Sequence, residues 1–308
     1  MSEGNGQLPF AVAIPSYRRS ESLLKVIDDV LSQCPAPAEI LVIDQTGTHD
    51  SATQGRLREW QERGTIRWLE QEQPNLPAAR NRALAETRCP ILVFLDDDVR
   101  LYPGCLAAHL RNFADPAVVA VTGRVKQPPD TMPRPRLRPV SEDSRYLDFN
   151  FDGEHRRIGL ARVSGCNHSV RVEAIRQLGG YDERYAAGFC EDLDIGVRIY
   201  RAGGLIIYDP EAVTEHLLRL EGGSRLSVGR DAETLLEERM HHFSYFLFKN
   251  FFPRAHFWSR FLYRHPRRFV VNRAGLRQPW KLPARLYRYL RAAWRAFHLS
   301  RHESRSSP

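Results

Sequence analysis

Apolar residues in the first half of the chain fall into short unbroken runs, separated by stretches of helical spacing. FAVAIP (Phe10 to Pro15) is one such run, closed by a turn. From Leu23 to Ser32 the residues Leu23, Leu24, Ile27, Val30 and Leu31 recur with the period of one helix face. EILVID (Glu39 to Asp44) predicts a second buried strand, and Thr65 to Leu69 a third, short one. A helix rich in Ala and Arg is expected over Pro77 to Thr87, and ILVFLDDD then supplies another apolar strand. Buried strands alternating with helices predict an α/β, Rossmann-like domain whose sheet is largely parallel and flanked by helices. Such sheets bind ligands at the carboxyl ends of their strands. Asp44 and the run Asp96-Asp97-Asp98 both stand at such ends.

Beyond Val125 the pattern loosens. Five prolines between Lys126 and Pro139 exclude a regular helix or central strand, so this stretch reads as a surface loop, a lid or an acceptor loop. Order returns in ARVSGCNHSVRVEAIRQLGGYDE as a strand, a turn and a short helix. EDLDIGVRIYRAGG then reads as a glycine-terminated helix, and LIIYDPEAVTEH as one more strand pair. After about Gly229 the chain becomes aromatic and helical, then basic. The domains expected are a disordered N-terminus over 1–9, a catalytic domain over 10–228 and a helical extension over 229–308.

Charge follows this division. Residues 254–308 hold 14 Lys/Arg and one acid, while the rest of the chain carries 31 basic and 36 acidic residues. The net charge of +8 therefore belongs to the tail. The acidic body disfavours nucleic acid as a partner. Cys34, Cys89, Cys105, Cys166 and Cys190 show neither CxxC nor metal-like spacing, and their odd number argues against a disulfide framework. MSEGNGQLPF lacks a basic region followed by an apolar stretch, so no signal peptide is expected. Nor is any apolar run long enough to span a bilayer. The expected location is the cytoplasm, peripheral on the inner face of the cell membrane.

Three consecutive carboxylates at a sheet edge repel one another, and a divalent cation relieves that repulsion. Mg2+ and Mn2+ take oxygen ligands and are commonly shared with phosphates. A solvated acidic turn is the alternative for the run taken alone.

The ordered set VAIPSYRR, ILVIDQTGT, NLPAARNRAL, ILVFLDDDV and LGGYDERY followed by CEDLDIGVRIYRAGG resembles the family-2 glycosyltransferases of GT-A fold, over roughly Phe10 to Arg225. The resemblance implies a metal-dependent, inverting glycosyltransferase. It would move a sugar from a nucleotide-diphosphate donor to a hydroxyl of a glycan or lipid-linked acceptor, in the assembly of cell-surface polysaccharide or glycolipid. It implies Mn2+ or Mg2+ on Asp98, with His216 completing the site. Donor contacts would come from Pro15, Tyr17, Asp44, Arg80, Asp96 and Asp97, and from Arg225 in LEGGSR, where glycine mobility suits closure on a diphosphate. Asp192 would be the base that takes the acceptor's proton. Glu191 would hold the acceptor, and a helix N-terminus favours both carboxylates in their charged form. Asn167 and His168 would line the acceptor pocket. The second strand ends Asp44-Gln45 where many relatives carry two acids, which leaves the nucleotide open.

A sugar transferase acting on a polyprenyl phosphate is the runner-up, since an anionic acceptor needs little help from a base. A nucleotidyltransferase or a dinucleotide oxidoreductase would need a Gly-rich phosphate loop, and AIPSYRR supplies none. A non-catalytic membrane-surface module on a degenerate transferase fold is the remaining alternative. Over Leu282 to Leu299 a helical wheel places Leu286, Leu290, Ala293, Trp294 and Phe297 on one side and Arg288, Arg291 and Arg295 on the other. That pattern suits an anionic membrane surface.

Overall fold

A computed structural model of the chain describes residues 8–127, 150–186, 188–219, 221–223, 226, 231–253, 255–272 and 276–303. The chain divides into two compact units, Met1–Ala186 with Glu191–Ser224, and Ala187–Cys190 with Arg225–Pro308. The disorder expected over 1–9 and the loop expected over 126–139 fall mostly outside the described residues.

The first unit runs β1 (Phe10–Ser16), α1 (Ser20–Leu31), β2 (Glu39–Asp44), α2 (Ser51–Glu62), β3 (Arg67–Glu70), α3 (Leu76–Glu86), β4 (Ile91–Leu95), β5 (Val99–Leu101), α4 (Cys105–Arg111), β6 (Val118–Lys126), β7 (Arg157–Ile158), β8 (Asn167–Arg171), α5 (Val172–Gln177), α6 (Glu191–Arg201) and β9 (Leu205–His216). Its sheet has the order β3-β2-β1-β4-β8-β6-β9-β5, with β7 pairing onto β9. The pairs β3–β2, β2–β1, β1–β4 and β6–β9 are parallel; β4–β8, β8–β6, β9–β5 and β7–β9 are antiparallel. The sheet is therefore mixed rather than largely parallel, and the parallel expectation holds for the half that the apolar runs predicted. LIIYDPEAVTEH is one strand, not two. Its register against β6 shifts between Gly123 and Arg124, which absorbs the irregularity around Pro210.

Central strands β1 and β4 are wholly buried, as their unbroken apolar sequences require. One core layer packs Leu23, Val26, Ile27 and Val30 of α1 against Val12, Ile14, Val42 and Val93. The opposite layer packs Ala79, Ala83 and Leu84 of α3 against Ala13, Leu41 and Phe94. Helix starts are capped as sequence rules predict: Asp50 accepts from the Thr53 N–H and Asn75 from the Ala78 N–H. Helix α2 escapes sequence reading because Leu57 and Trp60 are its only large apolar residues facing the core. From β1 the chain passes to β2 and β3 on one side, then returns to β4 on the other. The gap beyond the carboxyl ends of β1 and β4 is thus a topological switch point, where such sheets bind ligands.

The second unit is helical. α7 (Ala232–Phe251) packs with α8 (Leu282–Glu303), and Phe248 gathers Phe257, Phe261 and Phe297 at ring distances of 5.2, 5.0 and 5.3 Å. The wheel drawn from sequence is redistributed here. Tyr289, Ala292, Ala293 and Ala296 are buried and Phe297 joins the aromatic cluster, while Leu286, Leu290 and Trp294 are 46%, 57% and 65% exposed. Arg288, Arg291 and Arg295 pair with Glu233, Glu237 and Glu238 of α7. No described helix is long and apolar enough to cross a membrane.

Candidate active site

The acidic run leaves β4 at the switch point and meets the turn after β1. Ser16 Oγ donates to Asp97 Oδ2 at 2.8 Å, and the Tyr17 N–H to the same oxygen at 3.2 Å. Arg19 Nη1 donates to Asp97 Oδ1 at 2.8 Å and lies 3.0 Å from Asp98 Oδ1. Burial, reinforced by Asp98 and opposed by Arg19, pushes Asp97 up to about 6. Asp97 therefore braces the β1 turn from inside, while Asp96 keeps about a quarter of its side chain exposed, at 28%.

His216 reaches this point through the sheet. β5 pairs antiparallel with the end of β9, setting Val99 against His216, and the Leu217 N–H donates to the Asp98 carbonyl at 2.9 Å. His216 Nε2 consequently lies 3.1 Å from Asp98 Oδ1. Burial disfavours the Asp98 charge, but His216 and Arg19 outweigh it and hold the carboxyl below its usual range. The buried Asp98 Oδ1 nevertheless takes a well-aligned hydrogen bond from neither neighbour. Asp96, Asp98 and His216 each turn one ligand atom into a cluster whose atoms lie within 4.8 Å of one another.

Glu191 and Asp192 open α6 as expected, but their surroundings differ. Glu191 is buried; Arg80 Nη1 donates to its Oε1 at 3.0 Å and its Oε2 has no hydrogen-bond partner among the described residues. The helix terminus was expected to keep this carboxylate charged. Burial and the neighbouring Asp192 prevail over Arg80 and push Glu191 up to about 7. Asp192 is partly exposed and accepts from the Leu193 N–H at 2.9 Å.

Arg80 is wholly buried, with Nη2 donating to the Gly165 carbonyl at 2.8 Å and lying 3.9 Å from Asp96 Oδ1. It links the two acidic groups from behind and presents no surface to a donor. The next residue, Asn81, accepts from the Tyr181 N–H and donates to Tyr181 O and Glu183 Oε1. A Cβ at Gly180 would lie 2.6 Å from Asn81 Oδ1, so NRAL and LGGYDERY are two halves of one contact.

Asn167 and His168 do not line a pocket. Both are completely buried: Asn167 bonds His109 and the carbonyls of Arg124 and Ala212, while His168 stacks on Phe94 and bonds the Tyr181 hydroxyl at 2.7 Å. Asp44 is similarly enclosed. Its Oδ2 meets His49 Nε2 at 2.6 Å and Trp68 Nε1 at 2.9 Å, and its Oδ1 accepts from the Thr46 N–H. Pro15 is buried within β1 and Tyr17 stands at the strand's mouth. Arg225 lies outside the described residues. Sequence reading missed Arg19, Ser16, His49 and Trp68. Of these only Arg19 carried a signal, as a cation where a helix cap normally stands.

The α/β sheet with its acidic switch point is the GT-A fold of glycosyltransferases. The chain belongs to glycosyl transferase family 2, whose family model matches residues 11–179. It is similar to a pre-mycofactocin glycosyltransferase of Mycobacterium tuberculosis, 32% identical over 147 residues, covering 45% of this chain and 29% of that protein. It is also 38% identical over 103 residues to the N-acetylglucosaminyl-diphospho-decaprenol L-rhamnosyltransferase of the same species, covering 33% of this chain and 30% of the relative. The chain thus spans under a third of the length of either. Among solved structures it resembles a mannosyltransferase of Pyrobaculum calidifontis in complex with GDP-Man and Mn2+, with a TM-score of 0.58 and 19% identity, covering 97% of this chain and 80% of that one.

Proposed function

We propose that this glycosyltransferase moves a sugar, with inversion, from a nucleoside-diphosphate donor to a hydroxyl of a glycan or lipid-linked acceptor. The carrying observation is the convergence of Asp96, Asp98 and His216 at the switch point. Two carboxylates and an imidazole suit Mn2+ or Mg2+. Buried Asp98 Oδ1 has Arg19 at 3.0 Å and His216 at 3.1 Å but takes no well-aligned hydrogen bond among the described residues, which leaves it able to accept a cation. Their ligand atoms lie within 4.8 Å of one another, close enough for the three side chains to share one ion with ligand bonds of ~2.1 Å. A metal there would neutralise the charge developing on the leaving nucleoside diphosphate.

The acceptor hydroxyl oxygen attacks the anomeric carbon, the bond from that carbon to the diphosphate oxygen breaks, and the hydroxyl proton passes to Asp192. Asp192 is favoured over Glu191 as base because it is partly exposed, whereas one Glu191 oxygen is held by Arg80 and both are buried. Glu191 acts through Arg80, fixing the start of α6. Asp96, near the donor sugar, completes the donor side.

The lipid-linked acceptor accords with a bilayer-facing second unit. Trp258, Leu262, Tyr263, Trp280, Leu286 and Trp294 are exposed, and acids are absent from 254–302. Large interfacial aromatics among Lys and Arg suit the headgroup region of anionic membranes, which supports the reading of an enzyme peripheral on the inner face of the cell membrane. Donor hydrolysis or transfer assayed with and without Mn2+ or Mg2+ tests the proposal. Full activity of Asp98→Ala would overturn the assigned chemistry.

A further inference from the structure

The acidic run already has a cation, and it belongs to the protein. Arg19 is the N-cap of α1 and makes no side-chain cap hydrogen bond. Helix physics favours Ser, Thr, Asp or Asn there and disfavours positive charge. The side chain turns back to the site instead. Nη1 lies 2.8 Å from Asp97 Oδ1 and 3.0 Å from Asp98 Oδ1, Nε donates to the Glu221 carbonyl at 2.8 Å, and Nη2 to the Arg219 carbonyl at 3.2 Å. One guanidinium thus joins two acids of the site to the stretch that follows His216.

That stretch is held from its own side as well. The Arg219 N–H faces Asp98 Oδ2 at 3.3 Å, and the Gly223 N–H donates to the Tyr17 carbonyl at 2.7 Å. Gly222, at φ +70°, permits the approach: a Cβ there would lie 2.4 Å from the Arg18 carbonyl oxygen and 2.3 Å from Arg19 Cγ. Asp98, one of the three residues that offer a ligand atom to a divalent ion, is thus faced by Arg19 at its Oδ1.

We propose that Arg19 is a built-in counter-cation that competes with the divalent ion for Asp98 and couples that exchange to the backbone at Arg219 and Glu221. With Arg19 on Asp98, the carbonyls of Arg219 and Glu221 are tethered to the first turn of α1. A dication bound to Asp98 repels the guanidinium and loosens that tether. Arg19 is in this sense a positioning residue. The inference rests on the metal reading of Asp98 given above.

The experiment is Mn2+ binding without nucleotide to the full chain, followed by the paramagnetic resonance of free Mn2+, for wild type, Arg19→Gln and Arg19→Lys. Arg19→Gln should bind Mn2+ about tenfold more tightly, equivalent to about 1.4 kcal/mol. Arg19→Lys keeps the charge without the planar fork and should fall between. Hydrogen exchange supplies a second readout. Amides of 221–223 should exchange faster when Mn2+ is added to wild type, and should already be fast and indifferent to Mn2+ in Arg19→Gln. Equal or weaker Mn2+ binding by Arg19→Gln, with a cooperative melt, overturns the competition. If Arg19→Gln does not melt cooperatively, Arg19→Lys carries the test, and affinity no tighter than wild type overturns it. Failure of wild type and both variants alike to bind Mn2+ removes the metal reading and this inference together.

Discussion

Arg80 on α3 and Glu191 at the start of α6 are 111 residues apart in the chain and 3.0 Å apart as a buried ion pair. The same guanidinium approaches Asp96 at 3.9 Å and holds the Gly165 carbonyl. The two acidic groups of the site are therefore set relative to one another by a side chain that is itself wholly buried.

Well above pH 7, where Glu191 is ionised beside Arg80, removing the arginine strands that carboxylate or forces it to take up a proton, which costs up to about 3–5 kcal/mol. Arg80→Met should lower the melting temperature by about 10 °C. The double variant Arg80→Met/Glu191→Gln should recover much of the loss, because no charge is then stranded. Differential scanning calorimetry of the two proteins measures this, and an unaltered midpoint in Arg80→Met would count against the pair.

Glu191 also gives stability a pH dependence. Its folded-state pKa, pushed up to about 7, exceeds its ordinary 4.5, so the folded chain binds more protons between these values. The stabilisation is complete below about pH 4.5 and is lost as pH rises through about 7, with a slope of at most ~1.4 kcal/mol per pH unit. Denaturant unfolding across this window should show that slope in wild type and a flatter one in Glu191→Gln.

Among the described residues Asp192 makes only a local bond, to the Leu193 N–H. Asp192→Asn should leave the melting temperature within about 2 °C, yet reduce kcat for a hydroxyl acceptor by about 10²–10⁴. Retention of full rate with a hydroxyl acceptor would remove the base from this residue. Retention with a polyprenyl phosphate alone would favour an acceptor that is already anionic.

Mn2+ at a hundredfold excess over its Kd should raise wild-type stability by about 2.7 kcal/mol. Asp98→Ala and His216→Ala should abolish that thermal shift, and a chelator should reverse it. An undiminished shift in both variants would place the ion elsewhere.

Leu286, Leu290 and Trp294 form one exposed line on α8, at intervals of four residues. Replacing all three by Ser removes apolar area worth about 1.5 kcal/mol or more per side chain on burial. Co-sedimentation with phosphatidylserine-containing vesicles should weaken at least tenfold, with the melting curve retained. Equal binding by the triple variant would remove this helix from the membrane contact.

The sequence by itself determined the strands that are buried on both faces. No partial exposure can satisfy FAVAIP or ILVFL, so these runs specify central strands, and the turns after them specify the site's edge. The acids Asp96 to Asp98 stood out because three carboxylates follow a buried strand, whereas Glu191 and Asp192 were singled out through the resemblance. His216 was legible only through the resemblance. Its pairing opposite Val99 depends on β5, a three-residue strand too short to announce itself. Tertiary structure alone decided which polar residues are enclosed by partners. Asn167, His168 and Asp44 look like site residues in the chain, yet each is used inside by His109, Tyr181, His49 or Trp68, partners distant or unremarked in sequence. The same holds for α8, whose wheel cannot foresee that Ala292, Ala293 and Ala296 are buried while Leu286, Leu290 and Trp294 stay exposed. Periodicity records which residues share a face. It does not record what that face meets, because burial and charge pairing are fixed by whatever the rest of the chain brings alongside.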